Sequence, residues 1–529
     1  METDFGNAMN SLDPLKLLTI RLPLSPLSLE NHRLLERYKV GGICLFRGEY
    51  TRLTDILDLL ERLFDLLGPQ TLISVDQEGG SVVRLPQLPT SPGGFALSSA
   101  NDPELTYAVA HLQARALRLC GFNVNFAPLL DINNNPRNPV IADRALGITA
   151  EGVIRHALPF LKAHQDAGIL AVGKHFPGHG DTLVDSHYGL PVLDKDFDQL
   201  EALELKPYRA AFDAGLEAVM TAHIVFPRLS SKPATLSPEI LGYLRQNMNF
   251  DGLVFTDALD MKAVVGESPP WEVALDALEA GADNLLVLDS ATLEQTFERF
   301  QPTSHQMKAS LERFERTVQK YPFKPPQREE LSELLSKGRS SIVSVARKAV
   351  TARGVIPALK AHTPTLFLIP PNVRGGGAND SDSIGARLRE EVGKRLEKAV
   401  VLEYDPENPD LDELESELQW AEVIIFVTVQ RTTMQGGQIK IAQRLKTHVL
   451  DKAAHSQPNC ATSRGGPPNG PIRPNAVHAN LWNPFLSLEL PTVSTFGFSE
   501  ASVQALIYAL EQAAFPGTFE VNSLETEHV

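Results

Sequence analysis

Cysteine is scarce in this sequence. Only Cys44, Cys120 and Cys460 occur among 529 residues, and they lie far apart in the chain. They therefore form neither a disulfide framework nor the closely spaced pairs of a zinc site. So low a cysteine content is typical of a protein from a reducing compartment.

An excess of basic residues is also lacking. The chain has 49 Lys and Arg against 65 Asp and Glu, which gives a formal net charge of −16. Because nucleic-acid-binding proteins normally present a basic face, this balance argues against a nucleic-acid partner.

Long apolar runs are absent as well. No window approaches the roughly 18 consecutive apolar residues of a membrane-spanning helix. The first residues, METDFGNAMNSLDPLKLL, carry acids where a secretory signal would carry basic residues. We therefore expect a cytoplasmic protein with no membrane partner, and the hydrophobic content of 43% suffices for a substantial core.

What the first 320 residues do contain is an alternation of short apolar runs with helical patterns. Residues 54–67 repeat apolar side chains at the spacing of an amphipathic helix, and Gly68 can end that helix. Eight runs have the length and composition of buried strands: 17–22, 41–46, 71–76, 124–131, 169–175, 218–224, 252–257 and 284–288. The pattern predicts an α/β fold, with a (β/α)8 TIM-type barrel over residues 1–320 and a doubly wound open sheet as the competing architecture.

Polar residues at the ends of these runs favour the barrel. Asp76, Asp131, Lys174–His175, His223 and Asp257 all fall at the carboxyl ends of different predicted strands. In a barrel those ends converge on one face, where active sites lie, whereas an open sheet would spread them along an edge.

The sequence changes character after residue 320. YPFKPPQ (321–327) is rich in proline, so we place a linker at 321–335 and a smaller layered α/β domain at 336–529. Its predicted elements are strands at 365–369, 399–404 and 422–429 and helices near 329–350 and 499–514. Residues 456–483, rich in Pro, Asn and Gly, are expected to form an irregular insertion or a disturbed stretch where another core strand belongs.

The segment AVGKHFPGHGDTLVDSHYGLP (171–191) concentrates histidines and aspartates. His175 and His179 are four residues apart, but Pro177, Gly178 and Gly180 make the helical face of a zinc protease unlikely, and no HExxH motif occurs. We therefore expect no metal.

Acid–base chemistry is the alternative interpretation of this segment. Asp185 stands two residues before His187, and a carboxylate beside an imidazole fixes its tautomer and stabilises its charged form. Asp257 ends an apolar run, where it either caps the next helix or serves as a nucleophile.

These residues belong to motifs that resemble one known family. KHFPGHGDT followed by DSH, with VDQEGG upstream and FTDALDM downstream, resembles glycoside hydrolase family 3 in its β-N-acetylglucosaminidase branch. The motifs span about residues 70–265.

The resemblance implies a role for each matching residue. Asp257 would be the nucleophile, His187 the general acid/base and Asp185 its dyad partner. The terminal sugar would be held by five further residues: Asp76, Arg84, Arg144, Lys174 and His175. The implied substrate is a small N-acetylglucosamine-containing saccharide, hydrolysed with retention and without a cofactor by an enzyme for which we favour a monomer.

Some positions depart from the family pattern or have less definite roles. Ser81, Ala145–Leu146 and Ala258 replace residues that are common in the family, which could alter sugar affinity. We expect His179 and Asp181 to shape the loop, and Asp131 to orient cations such as Arg144 or Lys174. His223 is balanced between packing at the barrel mouth and substrate contact. Because the dyad lies on a glycine-rich loop, we also expect loop closure over the substrate.

Three alternatives remain at this point. A β-glucosidase of the same family would lack the DSH dyad, a phosphorylase would differ only in its acceptor, and an inactive sugar-binding protein would have no use for the full set of reactive groups.

Overall fold

The computed structural model describes residues 13–22, 28–48, 50–265, 268–371, 384–430, 434–455, 476–485 and 488–518. The chain divides into two compact units, one comprising residues 1–94, 102–342 and 377–380, the other 95–101, 343–376 and 381–529.

An eight-stranded parallel sheet forms the centre of the first unit. In chain order its strands are β1 (Leu18–Ile20), β2 (Gly42–Leu45), β3 (Leu72–Val75), β4 (Val124–Asn125), β5 (Leu170–Phe176), β6 (Ala218–Thr221), β7 (Leu253–Phe255) and β8 (Leu285–Val287). Neighbours in sequence pair in parallel, and β8 pairs with β1. A single bridge between Phe255 and Asn284 joins β7 to β8 and closes the circle, so the predicted barrel is confirmed.

Helices alternate with these strands. They are Leu29–Arg37, Leu53–Leu67, Pro103–Cys120, Ala150–Ala167, Phe197–Ala202, Lys206–Asp213, Pro238–Gln246, Lys262–Val265, Pro270–Ala280, Leu293–Arg299, Ser304–Lys320 and Arg328–Lys337. The helix Leu53–Leu67 buries Ile56, Leu59, Leu60 and Leu63 on one face and ends at Gly68, whose φ of 75° favours glycine.

The strand predicted over 124–131 is shorter than expected. Only two residues have regular pairing, because Pro128 has no N–H to donate to a ladder. The chain nevertheless continues beside β5, since Leu130 N donates to Lys174 O at 2.8 Å. Asp131 therefore still arrives at the mouth of the barrel.

The proline-rich segment after the barrel is tied to the first unit. Phe323 N donates to Pro69 O and Gln327 N to Leu119 O, at 3.0 and 2.8 Å. The helix expected near 329–350 is two helices, Arg328–Lys337 and Arg339–Ala349, separated at Gly338. The domain boundaries themselves, including the linker at 321–335, stay predictions.

The second unit is built on a six-stranded sheet. Its strands are β9 (Thr351–Arg353), β10 (Thr365–Ile369), β11 (Ala399–Glu403), β12 (Val423–Thr428), β13 (Ala476–Asn480) and β14 (Thr492–Ser494), in the order β9-β14-β13-β12-β10-β11. All pairings are parallel except that of β9 with β14. Its other helices are Gly94–Ala100, Ile384–Arg395, Leu411–Leu418, Gly436–His455 and Glu500–Gln512.

The range 456–483 predicted for an irregular insertion extends too far at its end. Residues 476–480 form β13 inside the sheet, between β12 and β14. His478 and Asn480 obscured the strand signal, although both are buried. The His478 Nε2 lies 2.7 Å from Thr428 Oγ1, which satisfies a polar atom inside the core. Residues 456–475, the rest of that predicted insertion, lie outside the described residues.

Candidate active site

One cavity opens at the carboxyl ends of the barrel strands. Its volume is about 420 Å³, within the range of small-molecule sites. Of the eight residues with a predicted catalytic or sugar-binding role, seven line it: Asp76, Arg84, Arg144, Lys174, His175, His187 and Asp257. The eighth, Asp185, contacts His187 at 2.7 Å.

A buried cluster of ion pairs forms one side of the cavity, which we call the sugar side (Asp76, Glu78, Arg144 and Lys174). Lys174 Nζ lies 2.7 Å from Asp76 Oδ1 and 2.6 Å from Glu78 Oε1. Arg144 donates from Nε and Nη2 to the two oxygens of Glu78, both at 2.9 Å. This bidentate geometry makes Glu78 the centre of the cluster.

The charges of this cluster stabilise one another. Burial alone would raise the pKa of Glu78, but Arg144 and Lys174 hold the pKa of that carboxyl well below its ordinary value. Burial would lower the pKa of Lys174, and Asp76 and Glu78 raise it instead. Glu78 and Lys174 therefore stay charged at neutral pH and present a fixed acceptor and a fixed donor to the cavity.

Arg84 extends the sugar side toward the first strands. Its Nη2 lies 3.8 Å from Asp76 Oδ2, and its guanidinium lies 5.5 Å from the centre of the Phe46 ring. Arg21 stacks on the same ring at 4.8 Å. Arginine stacking on an aromatic ring restricts the side chain without neutralising it.

Asp131 organises two histidines rather than the cations for which it was predicted. Its oxygens accept from His175 N at 3.1 Å, from His175 Nδ1 at 2.7 Å and from His179 N at 2.7 Å. Within the described residues Asp131 makes no hydrogen bond to Arg144 or Lys174, although its negative charge helps to raise the pKa of Arg144. Because Asp131 accepts a hydrogen bond from the Nδ1–H of His175, the other ring nitrogen is available on the side of the cavity.

Asp185 and His187, which were predicted to form a dyad, are in contact. His187 Nδ1 lies 2.7 Å from Asp185 Oδ1, and the same oxygen accepts from His187 N at 3.0 Å. Since a carboxylate can only accept, Nδ1 carries a proton.

Asp257 follows β7 and accepts a hydrogen bond at Oδ1 from Ala258 N at 2.8 Å. The next helix begins at Lys262, so Asp257 does not cap it. Burial would raise the pKa of Asp257, but His223, His175 and His187 bring it down to about 2. The carboxylate is therefore anionic at neutral pH, as a nucleophile must be.

His223 supports the turn beneath Asp257. Its Nε2 lies 2.9 Å from Ala258 O and its Nδ1 2.8 Å from Thr235 Oγ1. Burial lowers its pKa despite the nearby Asp257, so the ring is neutral. His223 does not line the cavity, which favours the packing role among the two left open by the sequence.

His179 and Asp181 lie at the base of the loop, as expected. His179 is buried with its ring 5.6 Å from that of His175, and Asp181 pairs with Lys195 at 2.7 Å. Gly180 between them passes the backbone so closely that a Cβ there would lie 1.7 Å from Ile132 O.

Among the residues that the structure describes, no group of three or more His, Cys, Asp or Glu side chains is arranged to hold a metal ion. Within the same ranges, every helix is too short or too polar to cross a membrane.

The sequence analysis missed Glu78 and Asp260, which both line the cavity. Glu78 stood inside the quoted VDQEGG motif, but a role for it follows only once the fold delivers Arg144 and Lys174. Asp260 stood in FTDALDM, three residues after Asp257. Burial raises its pKa, and Asp289 and Asp257 add to the effect.

Comparison with known proteins identifies the family of the barrel. The model of the glycosyl hydrolase family 3 N-terminal domain matches residues 15–319. A beta-hexosaminidase from Alkalilimnicola ehrlichii is 37% identical over 270 residues, covering 49% of this chain and 77% of that one. Beta-hexosaminidase A from Pseudoalteromonas piscicida is 34% identical over 316 residues, which is 55% of this chain and 53% of that longer protein. The chain therefore spans about half the length of this second relative.

Two solved structures show the same likeness. A glycoside hydrolase family 3 beta-N-acetylglucosaminidase from Paenibacillus sp. superposes with a TM-score of 0.80 at 28% identity, covering 96% of this chain and 97% of that one. NagZ from Neisseria gonorrhoeae, solved with N-trifluoroacetyl-D-glucosamine, gives a TM-score of 0.56 at 29% identity over 63% of this chain and 98% of its own.

Proposed function

This chain belongs to glycosyl hydrolase family 3, and we propose that it acts as a retaining exo-β-N-acetylglucosaminidase. The observation that carries the proposal is that Asp257 and the dyad histidine His187 line one cavity, with His187 held by Asp185 at 2.7 Å. The proposed substrates are peptidoglycan or chitin fragments that end in β-linked N-acetylglucosamine.

In the first step Asp257 attacks the anomeric carbon while the glycosidic bond breaks. His187, protonated on both nitrogens, gives its Nε2 proton to the leaving oxygen. Asp185 stabilises the imidazolium beforehand and keeps Nδ1 protonated afterward. The product is a glycosyl ester of Asp257.

In the second step water attacks the anomeric carbon and the ester bond to Asp257 breaks. Neutral His187 takes a proton from that water at Nε2 and regains its starting state. Two displacements at the same carbon leave the product with the configuration of the substrate.

The sugar side supports the proposed glycone. Asp76, Lys174, Arg144 and Arg84 offer both donors and acceptors, as hydroxyl groups and an acetamide carbonyl require. His175 adds a ring nitrogen oriented by Asp131. The name of the Alkalilimnicola relative and the N-acyl glucosamine bound in the Neisseria structure support the same sugar.

The test compares 4-nitrophenyl β-N-acetylglucosaminide with the matching β-glucoside, using the wild type, Asp257→Ala and the surface control Asp194→Ala. We expect the wild type and the control to hydrolyse the first substrate much faster than the second. Asp257→Ala should lose at least about a thousandfold, because the ester cannot form. A 5-fluoro N-acetylglucosaminyl fluoride should add one sugar mass to the peptide that contains Asp257.

Undiminished turnover by Asp257→Ala would overturn the proposal. Repeating the assay with phosphate separates hydrolysis from phosphorolysis, because a phosphorylase would release the sugar 1-phosphate and accelerate with phosphate. If the wild type hydrolyses neither glycoside, the result would indicate a binding protein.

A further inference from the structure

The residue between the two members of the dyad is attached to the base of the loop. Ser186 Oγ lies 3.1 Å from His179 Nε2, and both side chains are almost fully buried. Ser186 also lines the cavity, next to His187. We call residues 183–192 the dyad loop.

His179 is itself firmly held. Its N–H donates to Asp131 Oδ1 at 2.7 Å, and its carbonyl accepts from Asn138 Nδ2 at 2.9 Å. Its Nδ1 lies 2.8 Å from Thr182 Oγ1. The backbone of His179 and its ring nitrogen Nδ1 are thus held by hydrogen bonds. The other ring nitrogen, Nε2, is the point where the loop attaches.

The neighbouring hydrogen bonds define the tautomer of His179. The Thr182 hydroxyl also contacts His179 O at 3.0 Å, where it can only donate. Because a hydroxyl has one proton, all of these contacts are satisfied together only if Nδ1 donates to Thr182. Burial lowers the pKa of His179 to about 4, with His175 adding to the effect and Asp131 opposing it. The neutral ring then has a free lone pair at Nε2, to which Ser186 donates.

We propose that His179 is a positioning residue for the acid/base dyad, which it holds over the cavity through the hydrogen bond from Ser186. The inference rests on the proposed function, since it assigns His179 a part in delivering the proton of His187. His179 acts through Ser186 and the peptide on either side of it, so it needs no contact with the reacting atoms.

The remainder of the dyad loop explains why such a tether matters. Leu183, Tyr188 and Val192 are 58%, 64% and 60% exposed, so these apolar side chains contribute little packing that would hold the loop. Backbone bonds from Tyr188 N and Gly189 N to Asp185 O shape the turn internally without anchoring it. The far end of the loop is bonded to the segment after β6, where Pro191 O accepts from Val225 N at 3.0 Å, so the Ser186 tether acts on the part that carries His187. Loss of the tether would therefore reduce the time that His187 spends in position, while the sugar side stays intact.

The test uses Ser186→Ala with two N-acetylglucosaminides, one with a 4-methylumbelliferyl and one with a 2,4-dinitrophenyl leaving group. The dinitrophenolate departs with little help from an acid. We expect kcat/KM to fall about tenfold on the first substrate, because misplacing a proton donor is costly, and less than about twofold on the second. The ratio between substrates does not depend on the fraction of folded enzyme. The inhibition constant of free N-acetylglucosamine should stay within about twofold of the wild type, because Ser186 makes no contact with the sugar side.

Ser81→Ala is the matched control. Ser81 is equally buried and donates to Asp143 at 3.1 Å, away from the dyad loop. Its loss should change both substrates equally. The double variant His179→Ala/Ser186→Ala should show no larger leaving-group effect than His179→Ala alone, since the two residues act through one bond.

Equal losses on both substrates in Ser186→Ala, or wild-type kinetics on both, would overturn the positioning role. Either result would leave the proposed function standing as long as the wild type is active and Asp257→Ala is not. Failure of the proposed function would appear instead as an inactive wild type.

Discussion

The two sides of the cavity are held together by different interactions, namely buried ion pairs on the sugar side and single hydrogen bonds at the dyad loop. The sugar side joins four charged groups that bond to one another, of which Glu78, Arg144 and Lys174 are buried, and Lys174 is only 2% exposed. The dyad loop exposes apolar side chains and is held near its base by single hydrogen bonds such as that of Ser186. The first arrangement fixes the groups that would recognise a sugar before it arrives, whereas the second would let the proposed proton donor approach and withdraw.

Burying a cluster of charges is costly unless every member is satisfied. Glu78 meets this condition because both of its oxygens are paired. Its Oε2 accepts from Arg144 Nε, and its Oε1 accepts from Arg144 Nη2 and pairs with Lys174 Nζ. The cluster is therefore weak evidence for stability in itself but strong evidence for a preorganised polar site. Removing one member should damage the whole.

Glu78→Gln should have the largest effect. The substitution leaves Arg144 and Lys174 with an uncompensated buried charge, which costs about 3–5 kcal/mol of unfolding free energy. Urea unfolding measures the loss, and kcat/KM should fall with it. Glu201→Gln is the control, because Glu201 pairs with Arg209 near the surface, where an ion pair contributes less than about 1 kcal/mol. Equal losses in the two variants would contradict this account of the sugar side.

The same cluster predicts how stability changes with acid. The pKa of Glu78 is lower in the folded protein than its ordinary value of 4.5. The unfolded chain therefore binds this proton first, so stability present above about pH 4.5 is lost as pH falls toward the folded pKa. Urea titrations between pH 6 and 3 should show a shallower loss in Glu78→Gln than in the wild type.

Asp185→Asn should have the next largest effect, and on activity alone. Removing the carboxylate charge destabilises the imidazolium of His187, so kcat/KM should fall about a hundredfold on the 4-methylumbelliferyl substrate, within the usual range for general acid catalysis. The unfolding free energy should change by less than about 1 kcal/mol, because His187 is 28% exposed and asparagine keeps an oxygen that can accept from His187 N. A stability loss as large as that of Glu78→Gln would show that the two sides are built alike.

The difference between the two sides also determined what could be predicted from the sequence. Asp76, Lys174, His175 and Asp257 end apolar strands, so the barrel topology alone brings them to one face. The Asp185–His187 pair is local, and its spacing of two residues already predicts contact. Both kinds of signal depend on the strand pattern or on neighbours in the chain.

The remaining features depend on contacts between distant segments. Glu78 and Arg144 are 66 residues apart, and only the folded barrel shows that they form a bidentate pair. The hydrogen-bond partners of Asp131 could not be predicted for the same reason, since His175 and His179 donate to it while Arg144 interacts with it through charge. In the second unit, β10 was predicted with its observed bounds. Strand β13 was missed because it contains the polar residue His478, which can be buried there since Thr428 of the neighbouring strand β12 bonds to it.

Asn138→Ala should have an intermediate effect on both sides. Its Oδ1 accepts from Val140 N and Ile141 N at 2.8 and 2.6 Å, and its Nδ2 donates to the carbonyls of His179 and Gly180. The residue thus joins the segment that carries Arg144 to the base of the dyad loop. Leaving these buried groups unpaired should cost about 1–3 kcal/mol.

Thermal unfolding measures the stability loss of Asn138→Ala, and the two-substrate assay measures its effect on the dyad loop. A lower melting temperature with some leaving-group dependence is the expected result. Asn135→Ala is the control, because Asn135 makes a longer, part-buried bond of 3.3 Å to Asp181 O and should cost less. Stability equal to the wild type in Asn138→Ala would show that the two segments are held independently.

Leu183→Ser should have the smallest effect. The side chain is mostly exposed, and substitutions at such positions usually change the unfolding free energy by less than about 0.5 kcal/mol. If loop closure brings this side chain against substrate or barrel, kcat/KM for an oligosaccharide should fall while the melting temperature stays unchanged. Leu63→Ser, in the buried face of the helix Leu53–Leu67, should show the opposite pattern of a large stability loss. A stability loss in Leu183→Ser would mean that the tip of the dyad loop packs already in the free enzyme, and the contrast between a preorganised sugar side and a movable acid would no longer hold.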